Sequence, residues 1–161
     1  GTINFNSNAS LPDAIDKLAA AGVESIRVSL NSAQEHLYNA YYRPQGYRFD
    51  DVIESVHRAK RNGLYTMLNY LVFPGVTDQR AEIDALVELV ESAGIDMIQM
   101  RNLSLDPVMY WDAMQQKGEG IGFKTMLDEL KKRVPRLQFG YFNRTRETFY
   151  PEGYETDWPI T

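Results

Sequence analysis

Three segments of this chain share one pattern. A run with helical spacing stops at a glycine and an apolar run starts at the next residue, at Gly22-Val23, Gly63-Leu64 and Gly94-Ile95. A glycine just past a helix suits the left-handed C′ position, which a side chain would strain. A strand that follows a helix of this length lies parallel to the strand before it. Aligned on the glycines, ESIRVSLN, YTMLNYLV and DMIQMRNL put Ile26, Met67 and Ile98 in register, with polar Ser29, Asn69 and Arg101 near the strand ends. The repeat predicts helix-to-strand units, and sheets of this kind bind ligands at the carboxyl ends of their strands.

Punctuation along the chain fills in the other elements. A first strand is expected over Ile3 to Asn8, and Ser10 with Asp13 three residues on resembles a capping box opening a helix over Leu11 to Ala21. The second strand spans Ser25 to Leu30, and Ser32 with Glu35 predicts a second box before an aromatic helix ending at Tyr42. Helices are expected over Phe49 to Asn62, Arg80 to Ala93 with Asp78 as its cap, Val108 to Met114 and Phe123 to Arg133. The remaining strands are Tyr65 to Val72, Met97 to Arg101 and Leu137 to Tyr141. The expected fold is α/β, with an open, mostly parallel sheet of about five strands joined by helical crossovers, too few for a closed eight-stranded barrel. It occupies residues 1–141, and residues 142–161 form an irregular aromatic arm with Phe149, Tyr150, Tyr154 and Trp158 as anchors.

The net charge of −5 is spread along helices, which argues against a nucleic-acid surface. No apolar run is long enough to cross a bilayer and the first ten residues lack a signal-peptide pattern, so the chain reads as cytoplasmic. The glycine at position 1 reads as the start of a piece of a longer protein. There is no cysteine, which excludes disulfides, thiol nucleophiles and thiolate-held metals within these residues. His36 and His57 have no partner at ligand spacing and read as helix-surface residues, and no phosphate-binding glycine loop or nucleophile elbow is present.

Parallel strands are near-continuous apolar runs, so polar residues in or just after them mark candidate sites. These are Asn6 and Asn8 after the first strand, Ser29 and Asn31 at the second, Asn69 in the third, and Arg101 and Asn102 after the fourth. Amides, a hydroxyl and a guanidinium suit binding of a polar ligand better than proton abstraction. Buried singly, Ser29 or Asn69 would equally serve to satisfy backbone groups. Arg43, after two tyrosines and before a proline, suits either an anion clamp over the strand ends or a surface guanidinium stacked on a ring.

The string from SIRVSLN through YYRP and VFPGVTD to GIDMIQMRNLSLDP resembles the second half of the core domain of radical S-adenosylmethionine (SAM) proteins, over nearly everything from Ile3 to Tyr141. The resemblance implies a partial TIM-type (β/α) barrel and an iron-sulfur oxidoreductase in which a [4Fe-4S] cluster cleaves SAM to a 5′-deoxyadenosyl radical. It implies SAM contacts at Ser29 and Asn31, at Asn69 and the backbone near Val72 beside the adenine, at Arg101 and Asn102, and at Asn6 and Asn8. The family's C-x3-C-x2-C loop would precede Gly1. The chain is therefore expected to be a C-terminal fragment, binding neither cofactor by itself, with the missing N-terminal half as its partner. A homodimer through a sheet edge or the arm is also open, with no nucleic-acid or membrane partner. Two other readings stand beside this one: a cofactor-free aldolase-like or isomerase-like domain, which would need a base or lysine at a strand end, and a non-catalytic binding or dimerisation domain.

Overall fold

A computed structural model describes residues 1–114, 117–140 and 145–150. In chain order the elements are β1 (Asn4–Ser7), α1 (Pro12–Ala20), β2 (Ser25–Leu30), α2 (Glu35–Tyr42), α3 (Phe49–Arg61), β3 (Tyr65–Val72), α4 (Arg80–Ala93), β4 (Met97–Asn102), α5 (Pro107–Ala113), α6 (Phe123–Arg133) and β5 (Gln138–Phe139). A single 3-10 turn, Arg146–Thr148, follows. The five strands form one sheet in the order β1-β2-β3-β4-β5, and all four pairings are parallel. This is the expected α/β architecture.

The three glycines of the repeat all take left-handed φ, +92° at Gly22, +73° at Gly63 and +68° at Gly94. The alignment drawn from them is off by one at β3 and by two at β4. Met67 pairs with Arg27 and Met97, while Ile98 pairs with Leu68 and, through it, Val28. Ile26 and Ile98 therefore face one side of the sheet and Met67 the other. The offset arises because Tyr65, two residues past Gly63, enters the ladder opposite Ser25, three residues past Gly22.

Cross-strand neighbours share a face, so register divides the sheet into two surfaces. Ile26, Val28, Leu30, Leu68, Tyr70 and Ile98 form one surface and pack with Val52, Val56, Ile83, Leu86, Val90, Met126 and Leu130 from α3, α4 and α6 in the main core. Each of these apolar side chains, fully removed from water, stabilises by roughly 1.5–3 kcal/mol. The opposite face carries Arg27, Ser29, Asn69, Gln99 and Arg101 above Tyr65, Met67 and Met97. A sheet with helices on one side and polar groups on the other is the interior-and-exterior division of a (β/α) barrel wall.

At the amino ends of the strands the polar face is floored by the start of the arm. Phe149 stacks on Tyr65 with ring centroids 4.4 Å apart, and the Tyr150 hydroxyl donates to Asp96 over 3.3 Å. Asp96 is buried, pairs with Lys60 over 2.6 Å and accepts from the Thr66 amide. Phe149 and Tyr150 are thus anchors on the body, whereas Tyr141, Phe142, Tyr154 and Trp158 lie outside the described residues.

Three expected caps do not form. Helix α1 starts at Pro12 with Leu11 as its N-cap and no side-chain cap bond, so Ser10 does not cap it. Gln79, not Asp78, is the N-cap of α4, and the buried Asp78 carboxylate accepts from the amides of Gly75 over 2.6 Å and Gly122 over 3.0 Å, tying together the loops that follow β3 and α5. Helix α2 starts at Glu35, so Ser32 lies before it and hydrogen-bonds the Gln34 amide in a turn.

Candidate functional site

The polar face rises in rows. Arg27 shares a row with Met67 and Met97; the next holds Ser29, Asn69 and Gln99 side by side; the last holds Leu71 and Arg101. Alternation along each strand forces this stacking, since residues two apart point the same way. Arg27 Nη1 donates to Gln99 Oε1 over 3.3 Å, joining the first two rows. Burial, and then the positive charge of Arg101, lower the Arg27 pKa, so the two guanidiniums feel each other across β3. No acidic side chain occupies this face in β2, β3 or β4.

Above the carboxyl ends stand α2 and α5, joined through Leu37, Leu71, Val76, Tyr110 and Met114 in a second apolar cluster. Tyr41 meets Tyr110 edge-on at 5.5 Å, and Phe73 lies 4.8 Å from Tyr110. Burial pushes the Tyr42 hydroxyl up to about 12, opposed by the charge of Arg101 beside it. Tyr110 is likewise raised to about 12 by burial, opposed by the Asn31 amide. Both phenols are therefore neutral donors near pH 7. Buried polar groups meet here in pairs, the Tyr42 hydroxyl with the Arg101 guanidinium and the Tyr110 hydroxyl with the Asn31 amide. Asn39 Oδ1, on α2, is buried without a hydrogen-bond partner.

A buried carboxylate supports this end of the sheet. Glu82, in the first turn of α4, accepts from the Ser32 hydroxyl at 2.5 Å, the Ala33 amide at 2.7 Å, the Gln34 side chain at 2.8 Å and the Tyr70 hydroxyl at 2.6 Å. Burial raises its pKa, and those four donors partly offset it. The bonds fix the loop between β2 and α2 relative to β3.

The residues anticipated from sequence divide into three groups. Ser29, Asn69 and Arg101 come together on the polar face, half-buried, and Asn6 lies on the same face at the exposed edge strand β1. Val72 and Asn102 pair with each other on the opposite, helix-facing side. Asn8 is exposed beyond β1, where its Oδ1 accepts from the Ser10 amide. Asn31 is wholly buried and donates to the Leu37 carbonyl, so its amide braces the loop. Arg43 is exposed in a left-handed conformation, φ +46°, at the end of α2, and lines a cleft with Ala40, Tyr41, Leu105, Met109 and Tyr110. A non-glycine residue held there stores backbone strain, a mark of positions fixed by their surroundings.

Arg27, Gln99, Tyr42 and Glu82 were not singled out from sequence. The signal for the first two was the period of two: Arg27 precedes Ser29, and Gln99 precedes Arg101, by one step on the same face.

A comparison with curated proteins finds no match to this sequence. Among solved structures, SuiB of Streptococcus suis bound to its precursor peptide SuiA superposes with a TM-score of 0.57 and 15% identity over 87% of this chain and 32% of that one. A domain of a pyruvate-formate lyase-activating enzyme from Bacteroides vulgatus gives 0.61 and 11%, over 87% of this chain and 81% of that domain. A radical SAM methyltransferase from Sphaerobacter thermophilus gives 0.59 and 16%, over 88% and 41%. At these identities the likeness is one of fold, and the chain spans about a third of the length of SuiB. The model of the Radical SAM superfamily matches residues 1–90, more than half of the chain. This chain, with its parallel sheet and polar inner face, belongs to the radical SAM superfamily.

Proposed function

We propose that this chain forms part of a radical SAM iron-sulfur oxidoreductase, supplying one wall of the SAM pocket and the adjoining substrate wall. The observation that carries the reading is the row Ser29, Asn69 and Gln99, three hydrogen-bonding side chains in register on adjacent strands of a face that also holds Arg27 and Arg101. These donors and acceptors suit the hydroxyl, amino and carboxylate groups of SAM. Asn6, on the same face, and the backbone near Val72 are the outer members of the proposed cofactor set, with Arg43 as an anion clamp beside them; the side chains of Asn8, Asn31 and Asn102 are turned away from that face.

The residues do not fit the cluster. The sequence has no cysteine, and among the described residues no group of three or more His, Asp or Glu side chains is placed to hold a metal. Iron would therefore be held by another part of a longer polypeptide, and this chain alone would not turn over. The cluster supplies the electron for reductive cleavage of SAM; the residues here bind, orient and shield. The edge strand β1 and helix α1 are the proposed seat of that other part, because Ile3, Phe5 and Leu11 stand exposed there, Leu11 at 67%. An aldolase-like reading finds no lysine on the polar face of β2, β3 or β4 to serve as base or Schiff-base nucleophile.

The test uses the natural polypeptide that contains this chain, reconstituted anaerobically with iron and sulfide. It should bind iron and release 5′-deoxyadenosine from SAM under reductant. Ser29→Ala and Asn69→Ala should each weaken SAM binding about tenfold, the worth of one or two hydrogen bonds. Absence of bound iron, or SAM affinity unmoved by both substitutions, would refute the assignment.

A further inference from the structure

Beside the polar face, the carboxyl end of the sheet carries a recess of different chemistry. Tyr41 of α2, Leu105, and Met109, Tyr110 and Ala113 of α5 wall a cleft of about 230 Å³, with Arg43 at its rim. The two helices that form it are held together by the buried Leu37, Tyr110 and Met114, and Tyr41 meets Tyr110 edge-on. Its mouth is apolar: Leu105 is 49% exposed, Met109 58%, and Val108 next to it 67%. Apolar side chains gathered in water in this way mark a surface that meets a partner. Arg43 is the one charged residue lining the cleft, and among the described residues its guanidinium has no carboxylate partner. Its backbone is held at φ +46° at the end of α2, where glycine is the unstrained choice, and such strain gathers at ligand clamps.

Size narrows the occupant. Clefts that enclose a whole small ligand run to about 300–1,000 Å³, so this one takes a single side chain of something longer. We propose that it docks a peptide segment in which an apolar residue adjoins an acidic one, with the apolar side chain in the cleft and the carboxylate on Arg43. An aromatic floor with an arginine at its edge is the composition in which binding energy concentrates at peptide and protein interfaces. The inference gives the Arg43 clamp its anion, and it rests on the proposed function only in making that peptide a substrate; the site itself stands on the cleft and Arg43.

The experiment is a polarisation titration of fluorescein-labelled hexapeptides, each with one leucine followed by one glutamate, into the natural polypeptide that contains this chain, without SAM or reductant. Changing the leucine to alanine should weaken binding about tenfold or more, the worth of burying that side chain. Changing the glutamate to glutamine should weaken it about threefold, as for an exposed ion pair. Arg43→Gln should weaken the glutamate peptide about threefold and leave the glutamine peptide unchanged, because both changes break the same contact. Arg43→Gly, released from left-handed strain, should bind as Arg43→Gln does and unfold at no lower urea concentration. Met109→Asp, at an exposed position, should weaken the glutamate peptide about tenfold. An affinity unmoved by Met109→Asp, or equal losses of both peptides in the two Arg43 variants, would overturn the proposal. Hexanoate binding as tightly as the peptide would make the occupant a small amphipathic acid and overturn it too. No peptide binding up to about 1 mM would refute the docking site and leave the SAM-pocket reading untouched, whereas peptide binding without SAM binding would refute only the latter.

Discussion

Replacing Glu82 by glutamine should alter how the stability of the fold depends on pH, with a sign that the geometry dictates. The Glu82 carboxyl is wholly buried, and burial raises its pKa above the ordinary 4.5 in spite of four donors. A group whose folded pKa is raised stabilises the fold fully below its unfolded pKa, and that stability is lost as pH climbs through the folded value. Across this window the unfolded chain has released the proton that the folded chain keeps. Unfolding free energy therefore falls by up to about 1.4 kcal/mol per pH unit from this site alone. Glutamine resembles the protonated carboxyl and does not titrate. Its oxygen can keep the Ala33 amide and Tyr70 hydroxyl, while its N–H groups meet Ser32, which can rotate, and Gln34, whose amide can turn. The wild-type chain should thus lose stability relative to Glu82→Gln as pH rises from about 4.5, in urea unfolding at half-unit pH steps. Glu82→Leu removes every acceptor and strands the Ala33 N–H and the Tyr70 hydroxyl, at about 1–3 kcal/mol each. Parallel stability profiles for wild type and Glu82→Gln, or a wild type that gains relative stability with pH, would refute the reasoning.

Other expectations concern the frame around the site. Asp96→Asn should cost about 3 kcal/mol in urea unfolding, because Lys60, whose side chain is only 12% exposed, loses its counter-charge at the floor of the sheet. Gly120→Ala should cost about 1–3 kcal/mol, since its methyl would overlap the Asp78 carboxylate, itself held by two amides. Leu68→Ala, at the centre of the helix-facing core, should cost about 2–5 kcal/mol by the same measurement, and a loss below 1 kcal/mol would contradict its assignment to the packed face.

Much of the frame was legible because it is written locally. A glycine that must take positive φ, a proline and a run of β-branched residues each constrain their own neighbourhood, and β2, β3, α4 and α6 match their expected bounds. The site was legible in part. Ser29, Asn69 and Arg101 stand out as polar interruptions of apolar strands, and register brings them to one face. What stayed hidden depends on partners distant in sequence. Glu82 looks like an ordinary first-turn acid, and only packing sets it against Ser32, 50 residues away. Asp78 has a cap's position, but its acceptor capacity goes to Gly122, 44 residues away. Val72 and Asn102 looked equivalent to Asn69 and Arg101, yet one residue along a strand is a change of face.

The order of the sheet also governs how the chain reaches this state. Every paired strand has as its neighbour the next strand in sequence, so each ladder requires closure of only one crossover, and no pairing waits on a distant one. Loop closure costs little more when a loop lengthens but is needed before any contact returns energy. Folding should therefore grow outward from β2, β3 and β4, which share the largest core, with the four-residue β1 and two-residue β5 joining last. The row of Ser29, Asn69 and Gln99 lies on those first strands, so the polar face is assembled at the nucleus and its margins are added afterwards.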